Sequence, residues 1–209
     1  MKHIDLIEKF KGSTFAISFT DGETAYLHSD IISEYHLKNG IDIPDEAWTE
    51  IENANLIRKA RERALYLLDY RDYSYTELFH KLEENYPEDI CFEVMGKLVS
   101  IGVINDRRYA KNYARKLVEV RKLGYYRCVA EMKLKGIDKD LIDEALSEYE
   151  DTSEERLYEL IVKKYSSKLG DASDADGVKK VKNALARQGY SFKDINEAIS
   201  EYKDNYSQE

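Results

Sequence analysis

The strongest chemical pattern in the chain lies in residues 106–122, which read DRRYAKNYARKLVEVRK. Arg108, Arg115 and Lys122 follow a seven-residue spacing that places them on one face of a helix, and Lys111 lies beside them. The opposite side of that helix carries the residues expected to face a core: Ala110, Tyr113, Ala114 and Leu117. Dense lysine and arginine on one face bind phosphates or acidic protein surfaces, although many basic faces are merely solvated. The pattern favours a binding surface for an anionic partner.

The charge of the chain is unevenly distributed. Between Lys97 and Gly136 there are eleven basic and three acidic residues, a net charge of +8. The whole chain carries −9, so the remainder carries −17. This balance argues against a simple nucleic-acid binder and favours a protein with one basic binding region. The residues that we expect to contact a partner or DNA are Arg107, Arg108, Lys111, Arg115, Lys122, Tyr125 and Arg127.

Two adjacent tyrosines, Tyr125 and Tyr126, precede Arg127 in this region. Aromatic and basic side chains together stack on the bases of single-stranded nucleic acid. Tyrosines at a helix start are also ordinary packing residues. Both interpretations are open from the sequence.

No enzymatic, metal or cofactor motif occurs in the sequence. There is no phosphate-binding loop, no dinucleotide fingerprint and no H-E-x-x-H zinc motif. Cys91 and Cys128 are far apart and suit buried positions in a reducing compartment. The stretch DASDADG (171–177) lacks two ligands of a calcium loop, so we interpret it as a polar loop in which Asp176 caps the next helix. We therefore expect no catalysis and no cofactor.

The elements that would position the basic region form a repeat. EALSEY (144–149) recurs as EAISEY (197–202), 53 positions later, and only Leu146 changes, to Ile199. Helical triplets of about this period follow one another along the chain, and few glycines or prolines interrupt them. We predict a mainly α fold in which three tandem three-helix repeats form an elongated curved array. Before it, strands around Asp21-Gly22 predict an N-terminal β-hairpin extension.

The predicted boundaries follow from these patterns. Residues 1–44 form the hairpin extension with a short helix, and 45–104 form a linking helix and the first repeat. Residues 105–150 form the basic second repeat, 151–203 the third, and 204–209 a flexible tail.

Local signals predict how several helices begin and end. Ser74 with Glu77 predicts a capping box. We expect N-caps at Asp106, Asp138, Ser153, Asp176 and Ser191, and at Ser29 or Asp30 for the short helix after the hairpin. Gly124 and Gly136 are expected to end helices. A long helix should open at Pro44-Asp45 and run to about Tyr70, with a break near Asn55.

Residues 102–146 resemble the RecX family of recombinase modulators. The family pattern is matched by Gly102, Asp106, Tyr109-Ala110, Gly124, Glu131-Met132 and Lys135-Gly136-Ile137. SYTELFHKLEE (74–84) resembles the first-repeat segment of that family, and the three-repeat layout extends the match over about residues 56–203. Tyr125 departs from it, because the family often has proline there, and basic residues are frequent where this chain has Leu117 and Tyr126.

The resemblance implies a negative regulator of homologous recombination and DNA repair. Such a protein binds the RecA filament on single-stranded DNA in its helical groove, and inhibits ATPase and strand exchange. We expect a cytoplasmic monomer with RecA as its partner, possible contact to single-stranded DNA, and no membrane association.

Two other functions fit the residues. The first is a module that binds single- or double-stranded nucleic acid directly, because three-helix units resemble helix-turn-helix domains. It predicts tight and strongly salt-dependent binding to naked nucleic acid. The second is a helical scaffold for a different protein, which predicts no effect on RecA.

Overall fold

The structure is a computed structural model that describes residues 1–169 and 175–206, with the Tyr206 side chain outside the description. The chain divides into two compact units. Unit 1 contains Met1–Asp72 and Leu78–Val103, and unit 2 contains Tyr73–Glu77 and Ile104–Glu209. The division passes through one helix, whose first turn belongs to unit 2.

Unit 1 begins with a four-stranded antiparallel sheet. Its strands are β1 (Lys2–Lys11), β2 (Thr14–Phe19), β3 (Thr24–His28) and β4 (Asp42–Ile43), in the order β3-β2-β1-β4. The turn between β2 and β3 contains Asp21-Gly22, where Gly22 has a φ of +87° that suits glycine. The predicted hairpin is thus confirmed, with β1 added to it. The two-residue β4 is too short to produce a sequence pattern.

Two helices cover one face of this sheet. Helix α1 (Ser29–Glu34) is capped by His28, whose side chain accepts from the backbone N–H of Asp30, so the prediction of Ser29 or Asp30 as the cap is wrong. Helix α2 (Asp45–Tyr70) continues without a break past Asn55. The Asn55 amide is buried and donates to the carbonyl of Tyr26 at 3.1 Å, so the polar side chain is satisfied inside the unit. The core of this part contains Ile4, Ile17, Phe19, Leu27, Ile31, Trp48 and Ile51.

The rest of unit 1 comes from α3 (Tyr75–Glu83), after its first turn, and α4 (Glu88–Ser100). Their apolar faces bury Leu78, Leu82, Cys91, Val94, Met95 and Leu98. Cys91 is a free, buried thiol, as expected.

Unit 2 contains two successive helical triplets. Helices α5 (Asp106–Arg115), α6 (Tyr125–Leu134) and α7 (Lys139–Ser147) form the first. Helices α8 (Ser153–Leu169), α9 (Ala175–Arg187) and α10 (Phe192–Tyr206) form the next. Leu146 and Ile199 are buried at 3% and 4% exposure in their respective cores. The repeated hexapeptide therefore occupies an equivalent core-facing position in both triplets.

Several predicted helix ends are confirmed in unit 2. Ser74 Oγ accepts from the Glu77 N–H at 3.2 Å, and Glu77 accepts from the Ser74 N–H. Asp138 caps α7, and Ser191 Oγ accepts from the Asp194 N–H. Gly136, with a φ of +69°, ends α6.

Other predicted ends differ. The N-cap of α5 is Asn105, while the Asp106 carboxylate accepts from the N–H of Tyr75 at 2.8 Å. Gly124 immediately precedes α6 and does not end the helix before it; the left-handed residue there is Lys122, with a φ of +53°. Asp176 lies inside the first turn of α9.

Two predictions extend beyond the described chain. Most of the DASDADG loop lies outside the described residues, and so do residues 207–209 of the expected tail, whereas 204–206 belong to α10. Within 1–169 and 175–206, no group of acidic, cysteine or histidine residues is arranged to hold a metal ion. No described helix is both long enough and apolar enough to cross a membrane.

Candidate partner-binding surface

The basic helix α5 is oriented by its cap and its small inner residues. Asn105 Oδ1 accepts from the N–H of Arg108 at 2.9 Å, which fixes the first turn. Ala110 and Ala114 are fully buried, as predicted for the inward stripe. The exposed side of α5 consequently carries Arg107, Arg108, Lys111 and Arg115.

A π-helical turn, Lys116–Val120, follows α5 directly. A π turn adds a residue to each turn of helix, so side chains beyond it are rotated away from the α-helical spacing. The Arg121 N–H donates to the Lys116 carbonyl at 3.1 Å, and the helix ends before the left-handed Lys122. The continuous helical spacing that placed Lys122 on the same face as Arg115 is therefore wrong, although Lys122 is exposed.

Acidic residues of α7 neutralise part of the basic face. Arg107 lies 3.2 Å from Glu144, and Lys111 lies 2.9 Å from Glu148. The hydrogen bond to Glu148, with the charge of that carboxylate, raises the pKa of Lys111. Residues 105–150 hold eleven basic and nine acidic residues, a net charge of only +2. The local charge counted along the sequence thus overstates the field of the folded triplet.

A second group of ion pairs is centred on Glu131 of α6. Arg127 lies 2.7 Å from its carboxylate and Arg121 lies 3.4 Å away. Partial burial acts to raise the pKa of Glu131, but the hydrogen bonds from the two arginines outweigh burial and lower it. Lys135 is similarly paired with Glu77 at 2.7 Å.

Five basic side chains of this triplet form no ion pair with any described carboxylate: Arg115, Lys116, Lys122, Lys133 and Lys139. All five are exposed. No carboxylate in the described part of the chain neutralises their charges, so they are the cations most available to an anionic partner. Three of them cluster in sequence around the π-helical turn.

The two tyrosines are exposed. Tyr125 and Tyr126 retain 47% and 64% exposure, and their rings meet edge to face at 5.6 Å between centroids. The Tyr125 hydroxyl is 3.5 Å from the Asp143 carboxylate. Partial burial, with the charge of Asp143, raises the pKa of that hydroxyl.

A close backbone approach holds the start of α6 against the loop between α9 and α10. The N–H of Gly124 donates to the Gln188 carbonyl at 2.9 Å, and the N–H of Tyr126 donates to Gly189 at 3.1 Å. A methyl group built on Gly124 would lie 2.4 Å from the Gly189 carbonyl oxygen. The Tyr190 hydroxyl donates to the Lys122 carbonyl at 3.0 Å, and burial raises the pKa of Tyr190 to about 12.

Beside this junction lies a cavity of about 260 Å³, which no pattern in the sequence predicted. Its walls include Val118, Leu146, Tyr149 and Tyr190, and its one basic group is Arg156 of α8. These residues come from three separate helices and two loops, and none belongs to a recognisable motif. No local signal could have assembled them, because their proximity depends on how the two triplets pack.

Comparisons with known proteins agree with the observed repeats. Family models described as the first, second and third three-helix domains of RecX match residues 60–98, 105–146 and 151–199. Regulatory protein RecX of Bacillus pumilus (strain SAFR-032) is 27% identical, with 100% of this chain and 81% of that protein covered. Regulatory protein RecX of Streptococcus gordonii (strain Challis) is also 27% identical, with 90% of this chain and 72% of that protein covered.

Solved structures share the fold. A crystal structure of regulatory protein RecX superposes with a TM-score of 0.73 at 23% identity, over 96% of this chain and 100% of that one. The structure of RecX from Lactobacillus salivarius gives a TM-score of 0.64 at 29% identity, over 71% of this chain and 97% of that one.

Proposed function

The chain belongs to the RecX family of regulatory proteins, and we propose that it regulates the RecA recombinase by binding its filament on single-stranded DNA. In this proposal the chain lies in the helical groove of the filament and inhibits ATPase and strand exchange. It thereby lowers homologous recombination and DNA repair. It acts as a cytoplasmic monomer and performs no covalent chemistry.

The observation that carries the proposal is the cluster of exposed cations around the π-helical turn. Arg115, Lys116 and Lys122 are exposed and lack carboxylate partners among the described residues. A recombinase filament on DNA offers phosphates and acidic protein surface together, and exposed cations bind either. The net charge of −9 opposes tight binding to DNA alone, so a protein-bound DNA filament suits this chain better than naked DNA.

The other predicted residues have a different role in this proposal. Arg107 and Lys111 pair with Glu144 and Glu148, and these contacts fasten α5 to α7. Arg127 pairs with Glu131 within α6. These cations set the geometry of the triplet, while the cluster around the π-helical turn supplies the charge for the partner.

Regulation in this proposal is a shift between filament states. A bound protein can inhibit only if it binds one conformation of the filament more tightly than another, or blocks the addition of subunits. A tenfold preference corresponds to about 1.4 kcal/mol.

The test is the DNA-dependent ATPase of the cognate RecA on single-stranded DNA, titrated with the protein at fixed salt. The altered protein is the triple variant Arg115→Gln, Lys116→Gln, Lys122→Gln. Three exposed contacts of roughly 0.5–1 kcal/mol each predict about tenfold or greater loss of inhibitory potency. The matched control changes three exposed lysines of the third triplet by the same total charge: Lys168→Gln, Lys179→Gln, Lys180→Gln.

Inhibition by the wild type and the control, with weak inhibition by the test variant, supports the proposal. Equal inhibition by both variants would remove the cation cluster from the binding surface. No inhibition by the wild type at any concentration would refute the RecA proposal. Tight binding of the wild type to naked DNA, with a steep dependence on salt, would favour the nucleic-acid-binding alternative.

A further inference from the structure

We propose that the cavity beside Arg156 is a second binding site, which accepts an apolar side chain and an adjacent carboxylate from a segment of a partner protein. The site lies within unit 2 and is formed by different residues from the cation cluster around the π-helical turn. It does not depend on the RecA proposal, because its chemistry can be tested with small probes.

The charge of Arg156 is the first reason to assign a carboxylate to this cavity. The residue is half-buried, and its guanidinium donates to the carbonyl of Tyr149 at 2.8 Å and to the hydroxyl of Thr152. The central carbon of the guanidinium, Cζ, lies 5.7 Å from the centre of the Tyr149 ring. These contacts hold the side chain in place but leave further N–H donors of the fork unused. Arg156 forms no ion pair with a described carboxylate.

A half-buried arginine with no counter-ion among the described residues is unusual beside apolar walls. Removing a cation from water is costly unless an anion compensates it. An incoming carboxylate could bond two N–H groups of a guanidinium side by side, which makes arginine the preferred receptor for that group. The side chain is already oriented by Tyr149 and Thr152, so little entropy would be lost on binding.

The apolar walls of the cavity are the second reason, because they suit an apolar side chain. The lining includes three aliphatic residues, Val118, Leu123 and Leu146, and three aromatic ones, Tyr125, Tyr149 and Tyr190. Such walls bind aliphatic or aromatic groups. The volume of about 260 Å³ lies just below the usual range for sites of drug-sized ligands, roughly 300–1,000 Å³. One large side chain with a neighbouring carboxylate suits this space.

The charges at the rim favour a protein segment over nucleic acid. Glu150 lines the cavity, and Asp143 lies 3.5 Å from the Tyr125 hydroxyl. Residues 150–155 contain four acids, Glu150, Asp151, Glu154 and Glu155. A chain of phosphates entering beside Glu150 would be repelled by its carboxylate. A peptide carries a single carboxylate to Arg156 and can present neutral or basic residues to the rim.

The experiment measures binding of three probes to the full chain by amide chemical shifts in ¹H–¹⁵N spectra. N-acetyl-phenylalanine supplies a ring and a carboxylate, N-acetyl-phenylalaninamide supplies the ring without the charge, and thymidine 5′-monophosphate represents a nucleotide. We expect N-acetyl-phenylalanine to shift the amides of Leu123, Gly124, Tyr149 and Tyr190, with a dissociation constant on the order of 1 mM. The neutral amide should bind at least about tenfold more weakly, because it loses the charge-assisted hydrogen bonds.

The variant Arg156→Gln separates a binding role from a structural one. The substitution should lower the affinity for N-acetyl-phenylalanine about tenfold or more and leave the weak affinity for the neutral amide unchanged. The matched control is Arg187→Gln, at an exposed position on α9. It should change neither the affinity for the acid nor the affinity for the amide. If Arg156→Gln lowered the affinities for both probes equally, the cavity would have collapsed. That result would overturn the role assigned to the charge.

Other outcomes would also overturn the proposal. These are the absence of shifts at the four amides with about 20 mM N-acetyl-phenylalanine, equal affinities for the acid and its amide, and tighter binding of the nucleotide than of the acid. The last result would identify the cavity as a nucleotide site. None of these outcomes bears on RecA inhibition, so the two proposals fail independently.

Discussion

Replacing Gly189 with alanine should loosen the contact between the two triplets of unit 2. Gly189 has a φ of +94°, and an added methyl group would lie 2.3 Å from the backbone nitrogen of Arg127. The obstacle is backbone that is itself part of α6, so no flexible side chain can move aside. The start of α6 must then separate from the loop between α9 and α10.

The magnitude follows from two independent contributions. An L-residue in the left-handed region costs roughly 1–2 kcal/mol. Separation also breaks the hydrogen bonds from Gly124 to Gln188, from Tyr126 to Gly189, and from Tyr190 to Lys122. At roughly 1 kcal/mol each, these bring the loss for Gly189→Ala to about 4 kcal/mol, which is a large part of the stability of an ordinary domain.

Two other glycines separate these contributions. Gly102 has a φ of +72° and no atom near an added methyl group, so Gly102→Ala should cost only the backbone term of about 1–2 kcal/mol. Gly124 has an ordinary φ of −78° but the same close approach. Gly124→Ala should therefore lose the contact without the backbone strain.

The assay is amide hydrogen exchange, with chemical unfolding followed by circular dichroism. In Gly189→Ala, exchange at the Tyr126 amide should accelerate by about a hundredfold or more, since each 1.4 kcal/mol is a factor of ten. In Gly102→Ala the Tyr126 amide should exchange at the wild-type rate. If Gly189→Ala and Gly102→Ala lower stability equally, and the Tyr126 amide stays protected, then the close approach contributes nothing and the reasoning is wrong.

Three further effects are expected. Ser74→Ala should lower the free energy of unfolding by about 1–2 kcal/mol in urea titrations, because Ser74 caps the Glu77 N–H and donates to the Lys135 carbonyl. Tyr190→Phe should cost about 1 kcal/mol in the same assay, since the Lys122 carbonyl loses its donor. Stability should fall as the pH rises from 9.0 towards 11, because burial raises the pKa of Cys128 from 9.0 to about 11, and the unfolded thiol then ionises first.

The serine substitution and the alkaline effect each have a control. Ser100→Ala removes a hydroxyl that bonds only within its own helix, to Lys97, and should cost less than Ser74→Ala. For the alkaline effect, Cys128→Ala should show a flatter dependence of stability on pH between 9.0 and 11, whatever its absolute stability. An unchanged slope in that variant would mean that another group causes the loss.

The repeat itself could be predicted from the sequence because it depends on local periodicity. Apolar spacing within each helix fixes which side faces a core, and this gave the buried Ala110, Ala114, Leu146 and Ile199. The hairpin at Asp21-Gly22 and the capping box at Ser74 are likewise determined within a few residues. Such features need no information about distant parts of the chain.

The balance of charge on the candidate surface could not be predicted in this way. Glu144 and Glu148 are more than thirty positions from Arg107 and Lys111, and only the packing of α7 against α5 brings them together. The π-helical turn, Lys116–Val120, breaks the spacing on which the position of Lys122 had been predicted. Its sequence, KLVEV, differs in no obvious way from an ordinary helical segment.

The sequence by itself determined the helical triplets, the family resemblance and the presence of a basic region, since each follows from residue order and local spacing. Tertiary structure decided which cations are neutralised and which are not, because an ion pair needs two side chains within a few ångströms. It also formed the cavity at Arg156, whose walls come from segments as distant as Val118 and Tyr190. Local periodicity specifies the faces of helices, and only their packing specifies what each face meets.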